Sequence, residues 1–378
     1  MKGVTGVPTA PITEREVYDD YVREWKARGG LVLGYACVAT PVELIEAAGI
    51  LPYRIRALGN PRTDLADGEM SLFNCSFCRS CLQLALDGTY DFLDGIIETN
   101  GCDHLRAMFE NWQHCKGLPF FHYLKVPHFY RDDSLAYFEG ELELLRDHIA
   151  SHFGAEASEA SLRQAVADWN LVREKWRELC ALREAERPRL SGSEALALEL
   201  AGSRMTGRDF ARLLSDSLEE RRNAPGMKPA ARLMLCGPAT DEVEWLREME
   251  GLGAAIVSDA LCFGSRAFLQ RQDADGDPLR ALASGYLGSI FCPRMYKEYG
   301  KRRDYIVQTA QRSRVDGAVY LYNKFCDLHG VDSVLVRRDL ERAGIPVLVL
   351  EKEYSAASDV GRTKTRVQAF LERIGGGA

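Results

Sequence analysis

The sequence predicts an α/β protein made of two parallel-sheet domains joined by a helical segment. Three observations carry that prediction. Residues 229–378 alternate short apolar strands with amphipathic helices, residues 134–223 are almost wholly helical in pattern, and a motif near residue 95 recurs near residue 317. Parallel neighbours need a long crossover, usually a helix, so this alternation marks an open sheet of the flavodoxin-like or Rossmann-like kind. At 378 residues the chain exceeds one ordinary core, since domains run to ~100–200 residues. The expected division is an N-terminal helix over 1–30, a first α/β domain with cysteine loops over 31–133, a helical connection over 134–228, and a second α/β domain over 229–378.

Taken in order, Thr13 and Glu16 form a capping-box pattern, and Val17, Tyr21, Val22 and Trp25 lie on one helical face that Gly29 and Gly30 terminate. A short apolar segment spans 31–35, a helix 41–48 and a strand 50–55. After a cysteine-rich loop at 74–81 a helix is expected from about Ser80 to Leu86, then a buried strand over 94–99. In the helical middle, Trp169, Leu171, Val172, Trp176, Leu179 and Leu182 recur at helical spacing and Pro188 closes the run. Asn223, Pro225, Gly226 and Pro229 mark a linker. Strands are then expected at 231–236, 254–259, 317–322 and 345–351, with helices at 240–250, 302–314, 331–343 and 362–374.

The repeated motif is specific in its layout. Asp94-Gly95 opens a strand leading through Asn100 to Cys102, and Asp316-Gly317 opens one leading through Asn323 to Cys326. Ala48-Gly49-Ile50-Leu51-Pro52 is echoed by Ala343-Gly344-Ile345-Pro346. Each half thus places a cysteine just past the carboxyl end of a strand, where open α/β sheets bind ligands.

Bulk properties exclude several classes. A net charge of −7 opposes nucleic-acid or anionic-membrane binding, which needs a basic field. No stretch approaches the ~18 apolar residues of a spanning helix. The first residues lack an apolar segment of the secretory type, so a cytoplasmic location is expected. Eleven cysteines, an odd number in a reducing compartment, fit a disulfide framework poorly.

That leaves inert thiols, a nucleophile or metal ligands. Cys75, Cys78 and Cys81 form C-x2-C-x2-C at the entry to a helix, whose unpaired N–H groups favour thiolate. No fourth Cys-Pro of the ferredoxin type follows, and only one such knuckle exists, whereas zinc sites show pairs. Cys180, Cys236 and Cys37 read as small buried hydrophobes. Cys102 and Cys326, each after an apolar strand and before an Asp, are poor core material. Cys262 and Cys292 also fall in expected loops. No G-x-x-x-x-G-K-[ST] occurs, and Gly251-Leu252-Gly253 is a helix-to-strand turn rather than a dinucleotide fingerprint.

The stretches GYACVATPVELIEAAGILPYR (34–54), NCSFCRSCL (74–82), DGIIETNGCDHLRAMFENW (94–112), LCFGSRAF (261–268), DGAVYLYNKFCDLHG (316–330) and GIPVLVLEKEYSAASDVGRTKTRVQAFLE (344–372) resemble the 2-hydroxyacyl-CoA dehydratase D-component family, in matching order over nearly the whole chain. That family includes subunits of ATP-dependent benzoyl-CoA reductase and the double-cubane cluster proteins. The resemblance implies a [4Fe–4S] cluster held by Cys75, Cys102 and Cys326, with Cys78, Cys262 and Cys292 as further candidates for a double-cubane [8Fe–9S] cluster. It puts a proton donor or substrate-orienting acid at Glu43, and His104 and Arg106 beside the cluster. It implies one-electron reduction of an acyl-CoA substrate, an external iron–sulfur activator that hydrolyses ATP, and a paralogous second subunit forming a heterodimer. CDHLRAMFENW and GRTKTRVQAF resemble the aromatic-ring reductases most, with an (R)-2-hydroxyacyl-CoA dehydratase as the alternative. A reading from another class is a cytosolic two-lobed small-molecule binding protein with structural cysteines.

Overall fold

Within a computed structural model, residues 14–269, 272, 276–354 and 357–375 are described. The expected capping box at Thr13 lies outside them. Helix α1 (Glu14–Ala27) is followed by β1 (Val32–Tyr35), α2 (Val42–Ala47), β2 (Leu51–Arg54), α3 (Ala66–Glu69), α4 (Ser76–Leu86), β3 (Gly95–Thr99), α5 (Asp103–Lys116) and β4 (Phe121–Leu124). Four helices follow: α6 (Asp132–Phe153), α7 (Glu159–Glu184), α8 (Gly192–Gly202) and α9 (Gly207–Arg222). The remainder comprises β5 (Ala231–Cys236), α10 (Val243–Glu250), β6 (Ala254–Ala260), α11 (Pro278–Ser289), α12 (Tyr299–Arg312), β7 (Gly317–Asn323), α13 (Asp327–Arg342), β8 (Val347–Lys352) and α14 (Ala357–Gly375).

The strands form two four-stranded, all-parallel sheets, in the orders β2-β1-β3-β4 and β6-β5-β7-β8. Counted within each half, these orders are the same, 2-1-3-4, the flavodoxin-type order whose switch point lies between the first and third strands. The echo in the sequence is carried into hydrogen bonds. Asp94 donates its N–H to the Val32 carbonyl and accepts from the Val32 N–H at 2.8 Å; Asp316 does the same with Arg232, at 2.7 Å. Each Asp therefore fixes the start of the third strand against the first. Gly95 and Gly317 follow because nothing larger fits: a Cβ on Gly95 would lie 2.6 Å from the Phe120 carbonyl oxygen, and one on Gly317 2.7 Å from the Phe370 ring.

Among the elements that depart from the sequence expectation, three bear on the site and its supporting core. Helix α4 starts at Ser76 rather than Ser80, so Cys78 and Cys81 sit inside a helix, buried against Leu82 and Phe77. Nothing from Ser76 to Arg79 breaks a helix, and Cys75 occupies its N-cap. Strand β4 is absent from the expected elements, because its four residues, three half-buried and one buried, form too short a run between Gly117-Leu-Pro and Lys125-Val-Pro to show a pattern. Helix α11 is absent from them too; two glycines weaken its helical signal. It joins Leu282, Ala283 and Leu287 to a core shared with α6 and the first sheet, including Ile97, Phe138 and Leu145. A second core runs through both sheets, from Tyr53 and Leu82 to Leu235 and Leu321.

The two lobes interlock at charged, buried junctions. Arg54, at the end of β2, donates to the Ala36 carbonyl, to Glu199 of α8 at 2.9 Å and to the Cys262 carbonyl at 3.0 Å. Asp241 accepts from the backbone N–H groups of Ala57 and Leu58, both at 2.9 Å, and from the Tyr354 hydroxyl. Leu58 takes a left-handed backbone, φ 54°, to present its amide there.

Candidate functional site

Cys75, Cys102 and Cys326 each occupy the N-cap of a different helix, α4, α5 and α13. Two of those helices begin directly after the third strand of a sheet, one per lobe. The sulfur of Cys102 accepts the Leu105 N–H at 3.4 Å. A helix start offers unpaired N–H groups and the positive end of the macrodipole, which favour thiolate over thiol.

The same sulfurs feel one another. Cys75 is drawn well below its usual range, first by the adjoining Cys326 side chain and then by Cys78, with the Cys78 and Phe77 amides adding to the effect. Cys326 and Cys78 move well upward for the reciprocal reason, as each shares a proton with the Cys75 thiolate. Burial pushes Cys102 up to about 12, and the negative charge of Cys75 adds to this. Cys81 moves up through burial first, one helical turn deeper in α4. Cys78 therefore belongs to the contacting group and Cys81 backs it.

His104 ties the three loops together. Its Nδ1 lies 2.8 Å from Asn74 Oδ1, beside Cys75, and its Nε2 3.4 Å from Asp327 Oδ2, beside Cys326, while the residue itself follows Cys102 by two. The chain before Cys326 is constrained: Phe325 has φ 65°, with its ring edge-on to Phe73 at 5.4 Å. Arg106 points outward and pairs with Asp103 and Glu110.

Glu43 is fully buried with both oxygens engaged. Arg173 of α7 donates to Oε1 at 2.5 Å and the Tyr286 hydroxyl of α11 to Oε2 at 2.7 Å. Beside it, Tyr35, Thr40, Arg54, Arg173 and Glu199 border a cavity of about 30 Å³, room for water rather than a substrate.

A second set of thiols lies nearby. Cys292 is raised to about 11 by burial, moderated by Arg266 and reinforced by the proximity of Cys262 and Cys37. Cys37 follows β1, and a Cβ on Gly101, next to Cys102, would stand 3.5 Å from its sulfur. Its sequence context suggests an inert thiol, yet it ends a strand as Cys102 and Cys326 do; that shared position is the available signal. The roles of Asn74 and Asp327 have none, because only the fold brings them to His104.

Donor chemistry suits a soft, thiolate-bound group. All eleven cysteines are free thiols. Among the described residues, no three Cys, His, Asp or Glu side chains are arranged for a single metal ion. Three soft thiols on three helix starts are the donor type that an iron–sulfur cluster takes.

A family model for the 2-hydroxyglutaryl-CoA dehydratase D-component matches residues 37–374. The chain belongs to that family. As a D-component chain it is 23% identical over 355 residues to the (R)-phenyllactyl-CoA dehydratase beta subunit of Clostridium sporogenes, covering 93% of this chain and 94% of that one. It is 26% identical over 335 residues to one of the benzoyl-CoA reductase subunits of Thauera aromatica, covering 84% and 86%. It is 24% identical over 359 residues to the (R)-2-hydroxyglutaryl-CoA dehydratase beta subunit of Acidaminococcus fermentans, covering 93% and 94%. These relatives are named as subunits of enzymes, so membership favours an enzyme component over the binding-protein reading. No described helix of this D-component chain is long and apolar enough to cross a membrane.

Proposed function

We propose that this chain is the iron–sulfur subunit of a cytoplasmic enzyme that passes low-potential single electrons to a CoA thioester, with benzoyl-CoA or a related aromatic acyl-CoA as substrate. The observation that supports it most is the meeting of Cys75, Cys102 and Cys326 at three helix N-termini drawn from both lobes. A [4Fe–4S] cluster held by these residues would supply one-electron transfer at a potential that can reach roughly −700 mV, tuned by burial and hydrogen bonds. The chain's own residues set that environment. The amides at the starts of α4, α5 and α13 offset negative charge at the sulfurs, and His104 holds the loops in register and stands ready to move a proton there. Glu43, with both oxygens occupied, acts by positioning Arg173 and Tyr286 instead of by donating its own proton. A paralogous subunit would complete the active site, and an ATP-hydrolysing iron–sulfur activator would supply the electron.

The (R)-2-hydroxyacyl-CoA dehydratase reading has its own support, since dehydratase subunits align over 93% of this chain and the reductase subunit over 84%. The trio Cys37, Cys262 and Cys292 supports a larger, double-cubane cluster. Iron and acid-labile sulfide in anaerobically purified protein separate these: about four of each per chain is expected, about eight indicates the larger cluster, and none removes the proposal. The complex with its activator is then offered benzoyl-CoA and a 2-hydroxyacyl-CoA. Turnover of the hydroxylated substrate alone overturns the reductase assignment.

A further inference from the structure

Two buried arginines differ from others in what they meet. Arg54, Arg173, Arg183 and Arg302 each pair with a buried carboxylate, at 2.5–2.9 Å. Arg266 and Arg294, 6% and 5% exposed, meet only neutral acceptors among the described residues. Arg294 donates to the carbonyls of Asn100, Val126 and Pro127 and to the Asn100 side chain, at 2.7–3.3 Å, and to the Met295 sulfur. Arg266 donates to the carbonyls of Gly237, Leu261 and Phe291 at 2.7–3.2 Å. Asn100 directly follows β3, while Gly237 and Leu261 directly follow β5 and β6. One arginine therefore stands at the carboxyl edge of each sheet, the edge that carries Cys102 and Cys326.

Carbonyls satisfy the N–H groups but leave the positive charge unbalanced, and a buried, unbalanced charge is costly. Asp259 and Asp332 act on Cys236 as Arg266 does, but Arg183 and Arg302 already hold them. Thiols are what remains. Leu261 and Phe291, two of the Arg266 partners, directly precede Cys262 and Cys292, and Arg294 grips Asn100, two residues before Cys102. Burial disfavours the Arg266 cation, yet neighbours led by Cys262 and Cys292 lift it above its ordinary value. Burial lowers Arg294, with Cys37 and Cys292 opposing.

From this arrangement we infer that Arg266 and Arg294 are positioning residues whose fixed charge balances the negative charge collected on the sulfurs of the proposed cluster, and thereby raises its reduction potential. The inference rests on the iron–sulfur reading above. An electron taken up adds one negative charge, and a fixed cation in a water-poor site favours the reduced side of that couple.

Glutamine removes the charge yet keeps N–H donors for the carbonyls, whereas lysine keeps the charge and loses the planar fork. Arg266→Gln, Arg294→Gln, Arg266→Lys and Arg294→Lys are purified anaerobically beside wild type and assayed for iron. Each is then titrated with a low-potential titanium(III) reductant, the reduced cluster being read by electron paramagnetic resonance. In each glutamine variant the reduced-to-oxidised ratio at a given potential should fall about tenfold, a shift of about 59 mV to lower potential for one electron. The lysine variants should stay close to wild type. Iron lost from a glutamine variant but kept in its lysine counterpart supports the same role. An unchanged potential in either glutamine variant removes that arginine, and in both overturns the inference. Equal shifts or equal iron losses with lysine and glutamine also overturn it, since they mark a purely structural role. Wild type without iron would remove the iron–sulfur reading itself, and this inference with it.

Discussion

Glu98 is a carboxyl on the inner strand β3 with one oxygen shut away from water and left without a partner. Burial first, and the charge of Glu110 second, raise it to about 8. The folded chain therefore holds this proton more tightly than the unfolded chain does. Its contribution to stability is present at low pH and is lost as pH rises from about 4.5 to about 8. Glu98→Gln should flatten that decline: denaturant melts at pH 5 and pH 8 should differ less in the variant than in wild type, and an unchanged difference would refute the assignment. The cysteines allow a sharper residue-level test. Cys102→Ala should strip most of the bound iron, while Cys180→Ala, an inert thiol on α7 raised to about 11 by burial, should leave iron content unchanged. These two outcomes follow a split that sequence alone makes, where a thiol between polar loop neighbours stands apart from one beside Leu179.

Among the elements, strands with an apolar run and a turn signal at each end are readable from pattern: β3, β5, β6, β7 and β8 lie where periodicity and the Asp-Gly openings put them. The edge strand β4 is not, because an edge strand shows solvent half its residues and the chain around it carries two prolines. Helix starts are less visible than helix bodies: α12 and α13 begin three and four residues before their expected positions of 302 and 331, since Tyr299 and Asp327 open them without an apolar stripe. The close approach of β3 to β4 predicts that Gly95→Ala costs about 1–3 kcal/mol, because the obstructing Phe120 carbonyl belongs to the neighbouring backbone and cannot rotate away. Thermal unfolding would check it, and a change within about ±0.5 kcal/mol would show that the sheet adapts. His104→Ala should speed amide exchange at 74–76 and 326–328 more than elsewhere, since one ring touches both loops.

For the molecule as a whole, the two-lobed plan is legible in the repeated Asp-Gly and Ala-Gly-Ile motifs, whereas the junction between lobes is not. Arg54 and Glu199 lie far apart in sequence, in a strand and in a helix that look like ordinary core, and only the docked structure makes them partners. Burial raises Glu199 to about 7 despite the ion pair, so its partner matters. Arg54→Met should destabilise the chain by about 3–5 kcal/mol by stranding that carboxylate, and adding Glu199→Met should recover much of the loss. A double-mutant cycle in urea measures the coupling; strictly additive losses would mean the two act separately.

The allotment of sulfurs between lobes also orders the protein's assembly. Cys75 and Cys102 come from one lobe and Cys326 from the other, so neither half by itself gathers the proposed set. In that reading, metal insertion waits upon docking: a nascent chain whose second half is still emerging has nowhere to store iron, and mature protein reports, by its colour alone, that both halves have closed.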